Sequence, residues 1–259
     1  MQVWIGTSGY SYPAWKGSFY PEDLPNKEML SFYGRRLGAV EINNTFYRMP
    51  RESVLEKWAG AVPGGFRFAL KASRRITHFK RLQNAEEETE YLVQTAAVMA
   101  DRAGVILYQL PPNFKRDDDR LARFVDQLPN PGTSAFEFRH ASWFDEGVFD
   151  ILRSRNSALC LAETDDGDDA PLVETADWTY VRLRRSAYST EELEGWAARL
   201  RASGWDRVYA FFKHEDAGAG PALAGQFTEM MADMTAEMAD ATEMADVTET
   251  TDVTDDADA

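Results

Sequence analysis

The stretch from Phe66 to Leu110 contains one complete strand–helix–strand unit. It reads FRFALK at 66–71, continues through a long polar and apolar stretch at 86–102, and after Gly104 reads VILYQL at 105–110. Short apolar runs that flank a longer segment with helical periodicity and a glycine stop are typical of strand, helix and strand. This order predicts two parallel strands joined by a helix.

The same unit recurs in both directions along the chain. Eight short β-type runs are predicted at 3–7, 39–43, 66–71, 105–110, 135–139, 159–162, 180–184 and 208–212. Helices are predicted at 27–37, 53–61, 86–102, 118–128, 146–155 and 190–203 and after Pro221, whereas the crossover 165–177 shows no clear helix. Eight strands that alternate with helices indicate an α/β fold, a single-domain (β/α)8 TIM barrel. An open doubly wound sheet is the alternative.

Composition separates the C-terminal segment from the rest of the chain. The 259 residues carry a net charge of −15, but eleven of the 43 acidic residues lie between Thr228 and Ala259, where there is no Lys, Arg or aromatic residue. Such a segment cannot bury enough apolar surface to offset the entropy of ordering. We therefore expect a barrel domain at 1–227 and a disordered, low-complexity acidic tail at 228–259. The tail is expected to aid solubility, and a regulatory or docking role is the alternative.

Targeting, membrane and disulfide signals are missing from the sequence. The opening residues MQVW lack the basic start and apolar stretch of a secretory signal, and no apolar run approaches the roughly 18 residues of a membrane span. The single cysteine, Cys160, cannot form an intramolecular disulfide, and its apolar neighbours predict a buried, inert thiol. We expect a soluble cytoplasmic protein with no membrane partner.

Strand alternation places charged side chains inside the predicted barrel. Because successive side chains of a strand face opposite sides, packing Val40 and Ile42 against the helices turns Glu41 and Asn43 inward. The same reasoning turns inward Lys71, Gln109, Glu137, Arg139, Arg182, Arg184 and Lys213. These residues lie toward the C-terminal ends of the strands, where barrel enzymes place their active sites. Five cations and two carboxylates give the predicted site an excess of positive charge.

This excess predicts a pocket for an anion, because guanidinium groups bind phosphate and carboxylate bidentately. We assign acid–base catalysis to Glu41, Glu137 and His140. We assign substrate binding to seven further residues: Asn43, Tyr47, Lys71, His78, Gln109, Arg139 and Arg182. An internal ion-pair network around the two glutamates is the alternative. No cofactor and no metal are assigned, since P-loop, GxGxxG, GxSxG and HExxH patterns are absent.

Two loops add to this picture. The loop 71–81 carries five cations and His78, and all three histidines (His78, His140 and His214) follow predicted strand ends. The loop after the first strand is rich in aromatic residues, namely Tyr10, Tyr12, Trp15, Phe19 and Tyr20. These rings could stack a base or sugar, or they could pack across the barrel mouth.

The leading hypothesis is an enzyme that acts on a small anionic substrate, phosphorylated or derived from nucleic acid. The alternative is a non-catalytic module that binds nucleic acid or another anion. A third hypothesis is a divalent-metal-dependent isomerase or hydrolase with Glu41, Glu137 and His140 as ligands, although the neighbouring arginines oppose a bound cation.

Several of these segments together resemble the YecE-like family (domain of unknown function 72). The segments are GTSGY at 6–10, EINNTFYR at 41–48, ITH at 76–78, QLPPNF at 109–114 and EFRHASW at 137–143. The resemblance spans about Val3 to Phe227 and implies a TIM barrel, but no reaction. The chain departs from the family pattern at Tyr10, at Arg184-Arg185 and at the segment that begins with Lys213.

Overall fold

Eight strands form the centre of the molecule. A computed structural model describes residues 1–48, 50–163, 165, 167, 169–213 and 218–232. The strands are β1 Gln2–Ser8, β2 Ala39–Ile42, β3 Arg67–Lys71, β4 Ala103–Gln109, β5 Ser134–Glu137, β6 Ala158–Glu163, β7 Trp178–Leu183 and β8 Arg207–Phe212. Each strand pairs in parallel with the next, and β1 also pairs with β8. The sheet is thus a closed barrel in sequence order, which confirms the predicted (β/α)8 fold.

Helices cover the outside of the barrel. They are α1 Met29–Gly34, α2 Asn44–Tyr47, α3 Glu52–Gly60, α4 Glu86–Ala97, α5 Asp118–Gln127, α6 Glu146–Arg153, α7 Thr190–Ala202 and α8 at 219–232. As predicted, the described residues between β6 and β7 contain no helix. No helix in the described ranges is long and apolar enough to cross a membrane.

The apolar core has two parts, which follow from strand alternation. Val40, Phe68 and Phe136 belong to the layer between strands and helices, whereas Leu107 and Phe211 belong to the barrel interior. The predicted inward faces of β4, β7 and β8 are thereby confirmed. Cys160 is buried in the interior cluster, and burial raises the pKa of its thiol well above the ordinary value.

The last helix continues past the predicted domain boundary. Helix α8 runs to residue 232, and Met231 within it is buried against the core. The boundary predicted at Thr228 therefore lies inside a helix. Residues 233–259, which make up most of the predicted acidic tail, lie outside the described residues, as does His214.

The sequence did not predict two short elements near the barrel mouth. Helix α2 begins directly after β2, and a π-helical turn covers Arg75–Phe79 after β3. Both are too short to show an apolar periodicity. They matter because they place aromatic and basic side chains beside the C-terminal ends of the strands.

Candidate functional site

A cavity opens at the C-terminal end of the barrel. Its volume is about 320 Å³, and it is lined by Tyr12, Asn43, Phe46, Tyr47, Lys71, Gln109, Arg139, Arg182, Arg184 and Lys213. The lining residues come from the ends of six strands, from the loop that follows β1 and from helix α2. Six of the seven predicted substrate-binding residues lie on this cavity, since only His78 is absent from its lining.

Glu41 lies beneath the cavity and is completely buried. Its Oε1 accepts hydrogen bonds from Ser8 Oγ at 2.7 Å, from Asn43 Nδ2 at 3.1 Å and from Arg182 Nη2 at 2.9 Å. Its Oε2 accepts from Tyr180 Oη at 2.6 Å. Burial alone would raise the pKa of this carboxyl, but Arg182 and the hydroxyl donors outweigh it and lower the pKa to about 2.

Glu137 forms the second half of the same network. Its Oε2 accepts from Gln109 Nε2 at 2.8 Å and from Arg182 Nη1, and its Oε1 accepts from Arg184 Nη1 at 3.2 Å. Burial opposes ionisation here too, yet Arg182 and Arg184 hold the pKa of Glu137 below its usual value. Arg182 therefore bridges two buried carboxylates, and this arrangement matches the internal ion-pair network that is the alternative to an anion-binding pocket.

This geometry bears directly on the predicted catalytic pair. Carboxylates with lowered pKa values and hydrogen-bonded oxygens are weak bases near neutral pH. A metal ion at Glu41 and Glu137 would also face the guanidinium of Arg182, which lies between them. The described residues contain no group of three or more His, Cys, Asp or Glu side chains placed to hold a metal ion. The two glutamates instead fix Arg182 and the floor of the cavity.

The amine of Lys71 lies in a partly buried and positively charged environment. It is half-buried, its Nζ lies 4.5 Å from the centre of the Phe46 ring, and it forms no ion pair with the described carboxylates. Burial and the charge of Arg182 lower the pKa of Lys71 to about 8, although Glu41 and Glu137 act in the opposite direction. A substantial fraction of this amine is therefore unprotonated near neutral pH.

Arg139 and Lys213 complete the basic rim of the cavity. Both are exposed, and neither forms an ion pair within the part of the chain that the structure describes. In contrast, Arg182 and Arg184 are engaged with carboxylates. The cavity thus combines a neutralised floor with three cations that remain available to a ligand.

The two described histidines lie beside the cavity and not on its lining. The Nδ1 atom of His78 lies 2.9 Å from Thr77 Oγ1, and its ring packs edge-on against Phe46. Burial, followed by Lys71 and Arg139, lowers the pKa of His78, so its neutral form is favoured. His140 accepts a hydrogen bond at Nδ1 from the backbone of Ser142 and caps the short helix Ala141–Trp143.

The aromatic loop after β1 is mainly a packing element. Trp15 and Tyr20 are buried, and Tyr10, Tyr12 and Phe19 pack against the core. Tyr12 donates from Oη to the backbone carbonyl oxygen of Ser8 at the end of β1, 2.7 Å away, and Tyr12 also lines the cavity. The packing alternative is therefore confirmed for most of this loop.

The basic loop divides into paired and unpaired cations. Arg75 and Lys80 both contact Glu88 on α4, at 3.3 Å and 2.8 Å. Arg74 instead lies over the exposed rings of Tyr47 and Phe79, with its guanidinium carbon 5.7 Å and 5.3 Å from the ring centres. Among the residues that the structure describes, internal ion pairs thus hold only part of this loop.

Four lining residues are not among those to which the sequence assigned a catalytic or binding role: Tyr12, Phe46, Arg184 and Lys213. The inward alternation of β7 and β8 already indicated Arg184 and Lys213. Phe46 gave no such signal, because its place depends on helix α2.

The amino-acid sequence of this chain is similar to those of known proteins. A family model described as "Protein of unknown function DUF72" matches residues 4–247. The chain belongs to the DUF72 family. The UPF0759 protein YecE of Escherichia coli (strain K12) is 30% identical over 147 residues, which are 56% of this chain and 51% of that protein. The UPF0759 protein YunF of Bacillus subtilis (strain 168) is 24% identical over 156 residues, 57% of this chain and 54% of that one. The aligned region spans about half the length of these curated relatives.

Solved DUF72 structures extend the likeness over most of the chain. A DUF72 family protein from Thermotoga maritima has a TM-score of 0.78 and 25% identity, and the match covers 90% of this chain and 100% of that one. A DUF72 family protein from Enterococcus faecalis V583 has a TM-score of 0.71 and 17% identity, over 89% and 96% of the two chains. The latter match shows the shared fold alone.

Proposed function

We propose that this DUF72 protein is an enzyme that binds a small anionic substrate, phosphorylated or derived from nucleic acid, at the C-terminal end of its barrel. The observation that carries this proposal is the set of three cations, Lys71, Arg139 and Lys213, that line one cavity without a carboxylate partner among the described residues. Like charges gathered at one site repel one another, and a bound anion removes that cost.

The floor of the cavity supports the same proposal. Arg182 and Arg184 are held by Glu41 and Glu137, so their positions do not depend on a ligand. The buried Nε of Arg184 has no hydrogen-bond partner within the described ranges. A rigid arrangement of donors costs little to organise when an anion binds.

Acid–base chemistry in this cavity is best assigned to Lys71. A group transfers protons most efficiently when its pKa lies near the working pH, and the pKa of about 8 meets this condition. Glu41, whose pKa is lowered to about 2, does not. In this proposal, Glu41 and Glu137 position the arginines while Lys71 exchanges the proton.

Arg139→Gln is expected to weaken anion binding while leaving the barrel folded, because Arg139 is exposed and forms no internal ion pair in the described residues. Inorganic phosphate at ten times its Kd stabilises the wild type by about 1.4 kcal/mol. This corresponds to a Tm increase of about 4 °C for a domain of this size. We expect thermal-shift titration with phosphate to show this increase in the wild type and to show less of it in the variant.

Arg35→Gln provides the matched control, because Arg35 is an exposed arginine that follows α1 and does not line the cavity. Its phosphate-dependent Tm increase should equal that of the wild type. Equal increases in the Arg139 and Arg35 variants, or no increase in the wild type, would contradict an anion site at the cavity.

A second candidate function, non-catalytic binding of single-stranded nucleic acid, is favoured by one observation. Tyr47 and Phe79 are 67% and 68% exposed, and Arg74 lies between them over both rings. Exposed rings next to arginine are the usual platform for stacked bases. Tyr47 also lines the cavity, so this platform leads into it.

Phe79→Ala is expected to weaken binding of an oligothymidylate, since the loss of one stacking ring costs about 1–3 kcal/mol, or roughly 5- to 150-fold in Kd. Fluorescence anisotropy at two salt concentrations would measure this, and affinity should fall steeply with added salt. The control is Tyr91→Ala, which removes another exposed ring. If the two variants bind alike, stacking at Phe79 does not contribute and this second function loses its support.

A further inference from the structure

We propose that Lys71 is a covalent catalyst whose ε-amine forms an iminium ion with a small aldehyde or ketone carrying a phosphate or carboxylate group. This inference rests on the proposed function and deepens it, because it names both the class of substrate and the bond that forms. It depends on where Lys71 is held, on what surrounds its amine and on which cations remain free beside it.

The backbone of Lys71 is firmly held. Lys71 is the last residue of β3, where Thr45 Oγ1 donates to its carbonyl oxygen at 2.6 Å. The next residue, Ala72, donates its backbone N–H to Leu107 O on β4 at 2.9 Å. A side chain on a rigid strand end is presented in a narrow range of positions, as a covalent catalyst requires.

The surroundings of the amine favour its nucleophilic form. Lys71 is half-buried, and the charged groups that act on it are Arg182 and Arg184 from β7 and the end of that strand, with Glu41 and Glu137 from β2 and β5. The carboxylates already face Arg182 and Arg184, so they compensate Lys71 only weakly. Lysines beside other cations in partly dry pockets are the ones that form Schiff bases.

One contact favours the charged form instead. The centre of the Phe46 ring lies 4.5 Å from Nζ, and the face of an aromatic ring attracts an ammonium group. Burial and the charge of Arg182 act in the opposite direction and lower the pKa of Lys71 to about 8. The ring also shields one side of the amine from water.

The remaining cations indicate what else the substrate carries. Arg139 follows β5 and Lys213 follows β8, and both line the same cavity as Lys71. A molecule whose carbonyl reaches Lys71 can thus place an anionic group against Arg139 or Lys213. A cavity of about 320 Å³ accommodates only a small molecule.

The bond-forming step balances without any other reactant. The unprotonated Nζ attacks the carbonyl carbon, and the π electrons of the C=O bond move to oxygen. A proton passes from nitrogen to that oxygen, and a second proton from solvent allows it to leave as water. The nitrogen lone pair then forms the C=N bond, and the resulting iminium ion withdraws electrons from the adjacent carbon.

Reductive trapping tests this directly. The full chain is incubated near pH 7.5 with glycolaldehyde phosphate and cyanoborohydride, and peptide mass mapping measures the modification at each of the seven lysines. At this pH an amine with a pKa near 8 is unprotonated on the order of 100-fold more than an ordinary lysine. We therefore expect Lys71 to be modified at least about tenfold faster than Lys115, which lies outside the cavity lining.

Matched probes and variants separate the possible outcomes. Glycolaldehyde, which lacks the phosphate, should modify Lys71 more slowly than glycolaldehyde phosphate does at the same concentration, and Arg139→Gln should reduce this difference between the two probes. Lys71→Arg should abolish trapping at this position and should leave trapping at Lys115 at the wild-type rate. Uniform labelling of all lysines, or preferential labelling of Lys213, would overturn the role of Lys71. If the labelling shows no preference for Lys71 but phosphate still raises the Tm of the wild type, the anion site is supported and only the covalent role fails. If phosphate also leaves the Tm unchanged, the proposed function fails as well.

Discussion

Arg182→Met is expected to destabilise the barrel by about 3–5 kcal/mol, because it leaves two buried carboxylates without their shared counter-charge. Glu41 and Glu137 are 0% and 1% exposed, so water cannot replace the guanidinium. For a domain of this size the loss corresponds to a Tm decrease of roughly 10 °C. Urea unfolding and thermal melting near pH 7.5 would measure it.

The triple variant Arg182→Met, Glu41→Gln, Glu137→Gln is the control, since it removes Arg182 together with both carboxylates that it bridges. Buried ion-pair networks can often be replaced by neutral residues at little cost. We therefore expect the triple variant to recover most of the lost stability. If Arg182→Met alone is as stable as the wild type, the network contributes nothing to the stability of the fold.

The loss of stability caused by Arg182→Met is expected to depend on pH. In the wild type the pKa of Glu41 in the folded state, about 2, lies below its ordinary value of 4.5. The carboxylate thus contributes stability above about pH 4.5 that is lost as the pH falls toward 2. Without Arg182 the burial that opposes ionisation dominates, and the folded-state pKa rises. The deficit of Arg182→Met should therefore be largest near neutral pH and should shrink as the solution is acidified.

Gly6→Ala is expected to destabilise the protein by more than the roughly 1–3 kcal/mol typical of an overpacked core. A Cβ at Gly6 would lie 1.8 Å from the carbonyl oxygen of Ala39, on the neighbouring strand. That oxygen is part of the backbone and also accepts a hydrogen bond from Tyr33 Oη at 2.8 Å. Relief of the clash requires β1 and β2 to separate, which opens the barrel below the cavity.

Gly60→Ala is the matched substitution, because Gly60 ends helix α3 and a Cβ there meets no atom within 4 Å. It should leave stability unchanged or raise it by about 0.5–1 kcal/mol, the usual gain when Gly is replaced by Ala in a helix. Urea unfolding of both variants would measure the difference. If Gly6→Ala unfolds at the same urea concentration as the wild type, the close approach of β1 and β2 does not limit this position.

The fold could be predicted because its signals are local. The alternation of Phe66, Phe68 and Leu70 marks one strand face, and glycine stops such as Gly104 separate helix from strand. The same alternation predicted that Lys71, Gln109 and Arg182 turn inward, which is why most of the cavity lining was identified. Helix α2 and the turn at Arg75–Phe79 were missed, because elements of four or five residues carry too few apolar positions to show a period.

The sequence by itself determined which charges gather at the C-terminal ends of the strands, since strand order and side-chain alternation are properties of the chain. Only the tertiary structure decided which of those charges neutralise one another. Arg182 reaches both Glu41 and Glu137, residues 141 and 45 positions away along the chain. Such contacts depend on ångström-scale distances across the closed barrel, and no sequence period encodes them. Because both carboxylates face Arg182, Lys71 has no ion pair among the described residues. Its burial, followed by the charge of Arg182, lowers its pKa.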